Sequence, residues 1–169
     1  MSLSQALLPE FDHEMANTRK TLERVPDDKF SWKPHEKSFP MGALASHLAN
    51  LPTWATLALG SDSFDMAPEG KPLKTPEMHT CQTVLQEFDK NIAAARKAIE
   101  SAVDSDLLLP WSLLANGQTR LKLPRMAVLR SFVMNHMIHH RAQLGVYLRL
   151  NDVAVPSIYG PSADEVAGF

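Results

Sequence analysis

The stretch Asn135-His136-Met137-Ile138-His139-His140-Arg141-Ala142-Gln143 lies in the middle of the last long helical segment and decides how the rest of the chain is interpreted. His136 and His140 are four residues apart, so on a helix they stack on one face and can reach a single metal ion. A third histidine, His47, lies far upstream in another apolar helical pattern. We therefore predict one three-histidine metal site inside a helical bundle, with a coordination position left open.

A helical wheel of the last segment selects which of its histidines could bind together. At 100° per residue, seven residues fall within about 60° of His136: His140, Leu129, Phe132, Val133, Gln143, Tyr147 and Leu150. We expect this arc to pack inward, and His139 to lie at its flank. Stacked buried imidazoles are costly unless their nitrogens are satisfied, and a transition metal satisfies them. The same spacing also occurs on solvated faces.

The segment 41–59 is predicted to form a helix that Gly60 ends, with His47 on its apolar face. Residues on that face include Ala43, Leu44, Leu51, Trp54 and Ala58. A lone histidine in such a place is more often a hydrogen-bonded core residue than a ligand, so both interpretations stay open. Pro52 removes a backbone hydrogen bond and predicts a kink close to His47.

Three further patterns complete the predicted architecture. An amphipathic stripe from Leu8 to Val25 predicts a first helix, and Thr75-Pro76 is typical of the start of a third. Cys81 falls on the apolar stripe of that third helix, which predicts a buried, inert thiol. Asn116-Gly117 predicts a short β-ribbon or an extended loop, and Pro124 opens a final helix that runs to about residue 150. The predicted fold class is all-α: one domain over residues 1–169, a four-helix bundle with long crossover connections and a short β-ribbon before the last helix.

Composition bounds the function classes. The 169 residues are 44% hydrophobic and 21% charged, with a net charge of -2, as in ordinary globular proteins. Neither sign of charge forms a stripe, which argues against nucleic-acid binding. There is one cysteine, no signal-peptide pattern and no apolar run long enough for a membrane span. We expect a soluble, cytoplasmic protein that does not bind nucleic acid or a membrane.

Polar residues near the histidines in sequence are candidates to orient them. Asn50, Gln143 and Tyr147 could hydrogen-bond the ligating rings, and each could equally satisfy the backbone instead. Met137 follows His136 where a zinc protease would carry glutamate, so a metalloprotease mechanism is disfavoured.

Several segments resemble the DinB family of DNA-damage-inducible proteins, in the DinB/YfiT-like metalloenzyme superfamily. They are Val25-Pro26, Phe30-Ser31-Trp32-Lys33-Pro34, Ser38, the run 42–48, the run 135–150, Val155-Pro156 and Tyr159-Gly160-Pro161. The resemblance implies a four-helix bundle whose metal, nickel or zinc, is held by His47, His136 and His140. It also implies homodimers, and in some relatives thiol-dependent S-transfer or isomerisation with low-molecular-weight thiols.

Two functional hypotheses follow from the metal site and the resemblance. The first is a metal-dependent enzyme that uses a small thiol as co-substrate and acts on small electrophiles. The alternative is a non-catalytic dimeric stress-response or binding protein whose metal is structural. Met134, Ile138, Ala142 and Gly145 lie opposite His136 on the last helix and predict a second packing face, either within the bundle or in a homodimer.

Overall fold

The computed structural model describes residues 1–165 and shows a mostly helical chain with a small sheet. The helices are α1 (Leu3–Leu22), α2 (Met41–Asn50), α3 (Thr53–Gly60), α4 (Cys81–Ser101), α5 (Asp104–Leu108), α6 (Arg125–Val128) and α7 (His136–Leu150). The strands are β1 (Ser63–Asp65), β2 (Pro110–Ala115) and β3 (Gln118–Pro124). No helix among residues 1–165 has the length and apolar character that crossing a membrane requires.

Long helices pack around the main hydrophobic core: α1 packs against α4 and α7, and α2 packs against the same two helices. Phe11 from α1, Leu44 from α2, Phe88 from α4 and Leu144 from α7 are fully or almost fully buried in it. Each comes from an apolar stripe at three- and four-residue spacing, which only a helix places on one face. This packing brings α2 and α7, the two histidine-bearing helices, side by side.

The predicted kink at Pro52 is a break between two helices. Helix α2 ends at Asn50 and α3 begins at Thr53, with Leu51 and Pro52 in the turn between them. The Leu51 amide still donates to the His47 carbonyl, so α2 keeps its last turn. His47 therefore lies near the end of a short, well-packed helix.

The predicted start of the third helix at Thr75-Pro76 is wrong. Helix α4 begins at Cys81, where the side chains and backbones of Thr80 and Thr83 form a reciprocal capping box. The segment before it runs along α2: the Asn50 side chain donates to the Pro76 carbonyl at 3.0 Å. This hydrogen bond, and that from the Met78 amide to the Ser46 hydroxyl at 2.9 Å, hold the segment in an extended conformation. Cys81, predicted to be buried, is half-buried because it is the first residue of the helix.

The predicted β-ribbon is present, and it belongs to a larger sheet. Asn116 and Gly117 both have positive φ, 53° and 71°, as a tight hairpin turn between β2 and β3 requires. Strand β1 then pairs in parallel with β2, giving the order β1-β2-β3. A three-residue strand that pairs across about fifty residues carries no local signal. The fold is thus mostly helical with a three-stranded sheet, not all-α.

The final helix runs from Arg125 to Leu150 as predicted, but residues Leu129–Asn135 are π-helical. The wider turn changes the helical register after it, so the buried residues of α7 are Met137, Arg141, Leu144 and Leu148. The prediction that His136 and His140 lie at the centre of the inward face is wrong. Both are half-buried at the border of that face, while Gln143 and Leu150 are exposed. Met134 is buried in the core.

Candidate metal centre

His47 from α2 and His136 and His140 from α7 come together although 89 residues separate the first two in sequence. One ring nitrogen from each histidine lies within 4.8 Å of the other two, an arrangement that could hold a metal ion. The ring centroids are 4.6–5.0 Å apart. These are the three residues that the sequence selected.

The spacing of the nitrogens is compatible with a shared ion. The Nε2 atoms of His47 and His136 are 3.3 Å apart. Two nitrogens bound tetrahedrally to zinc at 2.0–2.1 Å would be about 3.3 Å apart. A direct hydrogen bond between the two rings would also give this distance, so the pair alone does not distinguish the two cases. The third nitrogen, from His140, makes the group suitable for a metal.

The local environment keeps the three imidazoles in their neutral, metal-binding form. Burial, and then the neighbouring His140 and His136, lower the pKa of His47 from 6.5 to about 4. Burial is also the main cause that lowers the pKa of His136 and of His140. Neutral imidazole presents a free lone pair, whereas imidazolium cannot bind a cation. Near neutral pH the cluster can therefore bind a metal without first losing protons.

Hydrogen bonds at the outer nitrogens orient two of the rings. The His140 Nδ1 donates to Gln143 Oε1 at 2.7 Å, which leaves Nε2 of His140 with a lone pair. The His136 ring donates to the Phe132 carbonyl. The π-helical turn makes this possible, because the His136 backbone amide bonds to the Ser131 and Val133 carbonyls and bypasses Phe132. π-Helical turns often occur at functional sites for such reasons.

The other residues predicted near the site, Asn50 and Tyr147, contact groups other than the three histidines. Both side-chain hydrogen bonds of Asn50 go to backbone carbonyls, those of Ser46 and Pro76, so its contacts are structural. The Tyr147 ring packs edge-on against Trp32 at 5.6 Å. Within residues 1–165 neither side chain hydrogen-bonds a histidine of the cluster. His139 is exposed beside His140, as predicted for the flank of the helix.

Aromatic rings and a cleft surround the histidine cluster. The Phe39 ring stacks on His47 with centroids 6.3 Å apart, and Phe132 lies edge-on to His136 at 6.5 Å. A cleft of about 980 Å³ opens beside His47, between the start of α2 and the extended segment before α4. His47 thus connects the cluster to a cleft, and aromatic rings lie beside His47 and His136, as is typical of small-molecule sites.

Sequence patterns missed a buried polar network next to the cluster. Arg141, 4% exposed in its side chain, pairs with Glu14 of α1, and the Tyr159 hydroxyl donates to the same carboxylate. The Arg141 guanidinium also donates to the Glu14 carbonyl at 3.0 Å. These contacts tie the C-terminal tail to α1 and α7. The sequence did not reveal the π-helical turn. On a regular helix without that turn, Arg141 falls outside the predicted inward arc.

The fold and the histidine cluster define a mostly helical protein with a group that could hold a metal ion between two packed helices. The model of the DinB family matches residues 1–167, and the chain belongs to the DinB family. The family resemblance noted in the sequence is thereby confirmed.

Relatives of known sequence or structure agree with this membership. The chain is 24% identical to the uncharacterized protein YrdA of Bacillus subtilis (strain 168) over 162 residues, 96% of this chain and 91% of YrdA. A crystal structure of a DinB-like protein from Bacillus cereus superposes with a TM-score of 0.70 at 21% identity, covering 92% and 97% of the two chains. The crystal structure of the DinB-like protein YjoA of Bacillus subtilis superposes with a TM-score of 0.69 at 18% identity, covering 90% of this chain and 96% of that one. The structural likenesses show a shared fold.

Proposed function

We propose that this protein is a metal-dependent enzyme that transfers a small thiol to an electrophile, with His47, His136 and His140 as the metal ligands. The observation that carries the proposal is the convergence of three neutral imidazole nitrogens within 4.8 Å at the border of an open cleft. Three protein ligands leave a position for a substrate atom, as in catalytic sites, whereas structural sites are usually closed by four.

The metal would be nickel or zinc, which the family resemblance implies, and both bind neutral imidazole well. When bound, such an ion acts as a Lewis acid and lowers the pKa of a thiol or water that occupies the open position. The chain's own residues would hold the rings in place: Gln143 through His140, and the Phe132 carbonyl through His136. Phe39 and Phe132 place aromatic surface beside His47 and His136.

The reacting thiol would come from a co-substrate, since the cysteine of this chain is unsuited to the task. Burial, followed by the nearby carboxylates of Asp27 and Glu23, raises the pKa of Cys81, which disfavours the nucleophilic thiolate. In the proposed transfer, the co-substrate sulfur forms a bond to an electrophilic carbon. The leaving group departs with its electron pair, and the thiol proton goes to solvent. An isomerisation would use the same sulfur addition followed by elimination.

The packing of α1 and α2 against both α4 and α7 supports the four-helix bundle that the resemblance implies. The proposal therefore places the metal between two helices of such a bundle. Metal sites in helical bundles are commonly built from facing side chains in this way.

A second candidate is a non-catalytic homodimer in which the metal is structural. Its support is an apolar groove of about 470 Å³ along α7, which Ile138 and Val146 line. Val146 and Leu150 on this helix are each 58% exposed. Exposed apolar side chains on one helix face are typical of protein–protein contact. A homodimer is compatible with either candidate, and sedimentation that detects only monomer would remove it.

Elemental analysis combined with a thiol-conjugation screen tests the proposal. We expect about one nickel or zinc ion per chain in the purified protein and metal-dependent consumption of a small thiol with a test electrophile. Both should be lost in His140→Ala and kept in His139→Ala, which changes the exposed neighbour. Metal binding that stabilises the protein without any conjugation would favour the non-catalytic candidate. Metal content that is far below one ion per chain and insensitive to His140→Ala would refute both.

A further inference from the structure

A short segment between α1 and α2, residues 30–32, lies across the start of α2 and is called the strap here. The Met41 amide donates to the Trp32 carbonyl at 2.8 Å, and the Gly42 amide donates to the Phe30 carbonyl at 2.9 Å. A Cβ at Gly42 would lie 2.3 Å from the Phe30 ring, so only glycine allows this close contact. The strap is therefore fixed to the first turn of α2, the helix that carries the first histidine of the cluster.

The Trp32 side chain extends from the strap to α7. Its ring lies edge-on to the Tyr147 ring, with centroids 5.6 Å apart and planes at 80°. Aromatic pairs in this arrangement attract each other beyond the effect of burial. Both rings are half-buried and pack against the main core. Trp32 thus joins the first turn of α2 to the helix that carries His136 and His140.

The two attachment points of the strap lie at similar distances from the histidine cluster. Met41 is six residues before His47, and Tyr147 is seven residues after His140. At 1.5 Å per residue these separations are about 9 Å and about 10 Å along the two helices. The strap and the cluster are therefore two separate connections between α2 and α7. A helix held at two places along its length cannot freely tilt or slide, so the strap limits where His47 lies relative to the other two histidines.

His47 is the ring of the cluster that depends most on the position of its helix. The other two rings each hydrogen-bond to a group outside the cluster, Gln143 or the Phe132 carbonyl. Within residues 1–165 the His47 ring has its hydrogen bond to His136, inside the cluster. Its stacking partner Phe39 is 56% exposed and so constrains it weakly. The placement of α2 therefore decides where the His47 ring lies.

We propose that Trp32 is a positioning residue of the metal centre, which through its contact with Tyr147 holds His47 at the distance from His136 and His140 that a shared ion requires. Trp32 acts through α2 and not by contact with the ion. The inference rests on the proposed function in that the three histidines must bind a metal, and it adds a residue that determines how well they do so.

Zinc affinity, measured on the full chain by competition with a coloured chelator, tests the role of Trp32. In Trp32→Ala the affinity should fall about tenfold, as when a group that orients a metal ligand is lost. Trp32→Phe keeps an aromatic ring at this position and should restore most of the affinity. Ile92→Ala is the control, because Ile92 is half-buried between α1 and α4. It should lower the stability of the protein and keep the zinc affinity.

The absorption of bound cobalt(II) provides a readout that lower stability alone would not change, since it reports the ligands and geometry of the ion. At saturating cobalt the spectrum of Trp32→Ala should shift towards that of His47→Ala, because both variants lack a well-placed imidazole from α2. The spectra of Trp32→Phe and Ile92→Ala should match that of the unmodified chain.

Tyr147→Leu decides the question if Trp32→Ala does not fold, because it removes the other ring of the pair and keeps an apolar side chain. It should weaken zinc binding to a similar extent. Unchanged zinc affinity in Trp32→Ala or Tyr147→Leu, or an equal loss in Ile92→Ala, would overturn the inference and leave the metal centre in place. An unmodified chain that binds no zinc would instead overturn the proposed function, and this inference with it.

Discussion

His140 and Arg141 are neighbours in α7, yet they belong to two polar clusters that satisfy their hydrogen bonds in opposite ways. Arg141 lies on the buried face of the helix, where the Glu14 carboxylate and the Tyr159 hydroxyl satisfy it. His140 lies at the border of that face, where its Nδ1 donates a hydrogen bond to Gln143. It belongs to the group of three histidines whose ring nitrogens lie close together. The hydrogen bonds of the Arg141 cluster are satisfied within the chain. The histidine cluster instead presents nitrogen lone pairs that converge.

The difference shows how a polar group inside a helical protein can be recognised as structural or functional. A buried charge whose partners are all supplied by the chain holds elements together, and here it holds the tail to α1. Half-buried neutral rings whose nitrogens converge gain little from one another, since two lone pairs repel unless a proton or cation lies between them. Such a group is stabilised best by a ligand from outside the chain.

The largest expected effect comes from breaking the complete cluster. Arg141→Met leaves the Glu14 carboxylate, 7% exposed in its side chain, without its cation. We expect the free energy of unfolding to fall by about 3–5 kcal/mol, as for other buried pairs that lose one partner. Urea denaturation measures this. Arg96→Met, which breaks an exposed pair with Asp12, is the control and should have a small effect. Equal effects of the two substitutions would show that burial does not distinguish these pairs.

Removing a ligand from the histidine cluster should mainly affect metal binding. His136→Ala removes one of the three converging nitrogens, so zinc affinity should fall by more than about a hundredfold, beyond the usual effect of losing an outer partner. Competition with a coloured chelator measures it. His139→Ala keeps the cluster and should bind zinc normally. An unchanged affinity in His136→Ala would assign the cluster to ring–ring hydrogen bonding.

A smaller effect is expected from the residue that orients His140. Gln143→Ala removes the acceptor for His140 Nδ1, and zinc affinity should fall by about tenfold because the ring is then free to turn. Gln143→Glu keeps an acceptor at this position and should bind zinc at least as tightly. The same competition assay compares them. If the two variants weaken binding equally, the hydrogen bond to His140 does not contribute to the site.

The smallest effect is a pH dependence of the metal-free protein. The pKa of His47 falls from 6.5 to about 4 on folding, mainly through burial. Between these pH values the unfolded chain binds more protons than the folded one. The free energy of unfolding is therefore unaffected by His47 above about pH 6.5 and decreases as the pH falls towards 4.

Denaturant unfolding at a series of pH values measures this dependence. The slope between pH 6.5 and 4 should be reduced in His47→Gln, which keeps a polar side chain that does not titrate. The difference should remain modest because His47 is only half-buried. A steeper dependence in His47→Gln would mean that other groups protonate on unfolding and that His47 is not held neutral.

Part of the fold was predictable because its signals are local. The Asn116-Gly117 turn needs two residues with positive φ, and this dipeptide tolerates it, so the hairpin followed directly. The break at Pro52 followed from its missing amide. The start of α4 was predicted wrongly because Thr75-Pro76 and Thr80 both suit a helix start. Contacts from Ser46 and Asn50 select the later one.

Part of the site was predictable for the same reason. The four-residue spacing of His136 and His140 places them on one helical face whatever surrounds the helix. Their assignment to the buried face failed because π-helical Leu129–Asn135 changes the register. The buried pairing of Arg141 with Glu14 was missed because of the same change of register. Asn50 was selected for its closeness in sequence to His47, but its hydrogen bonds go to the backbone.

The sequence by itself determined the helical periodicity, the paired histidines, the hairpin turn and the family. The first three depend on residues within a few positions of one another, where backbone geometry alone sets the outcome, and the family follows from the order of several short motifs along the chain. Tertiary structure decided that His47 meets the pair from 89 residues away, that β1 joins the sheet, and that Arg141 and not His140 faces the core. Those outcomes depend on which surfaces of the helices pack together, a property of the whole chain.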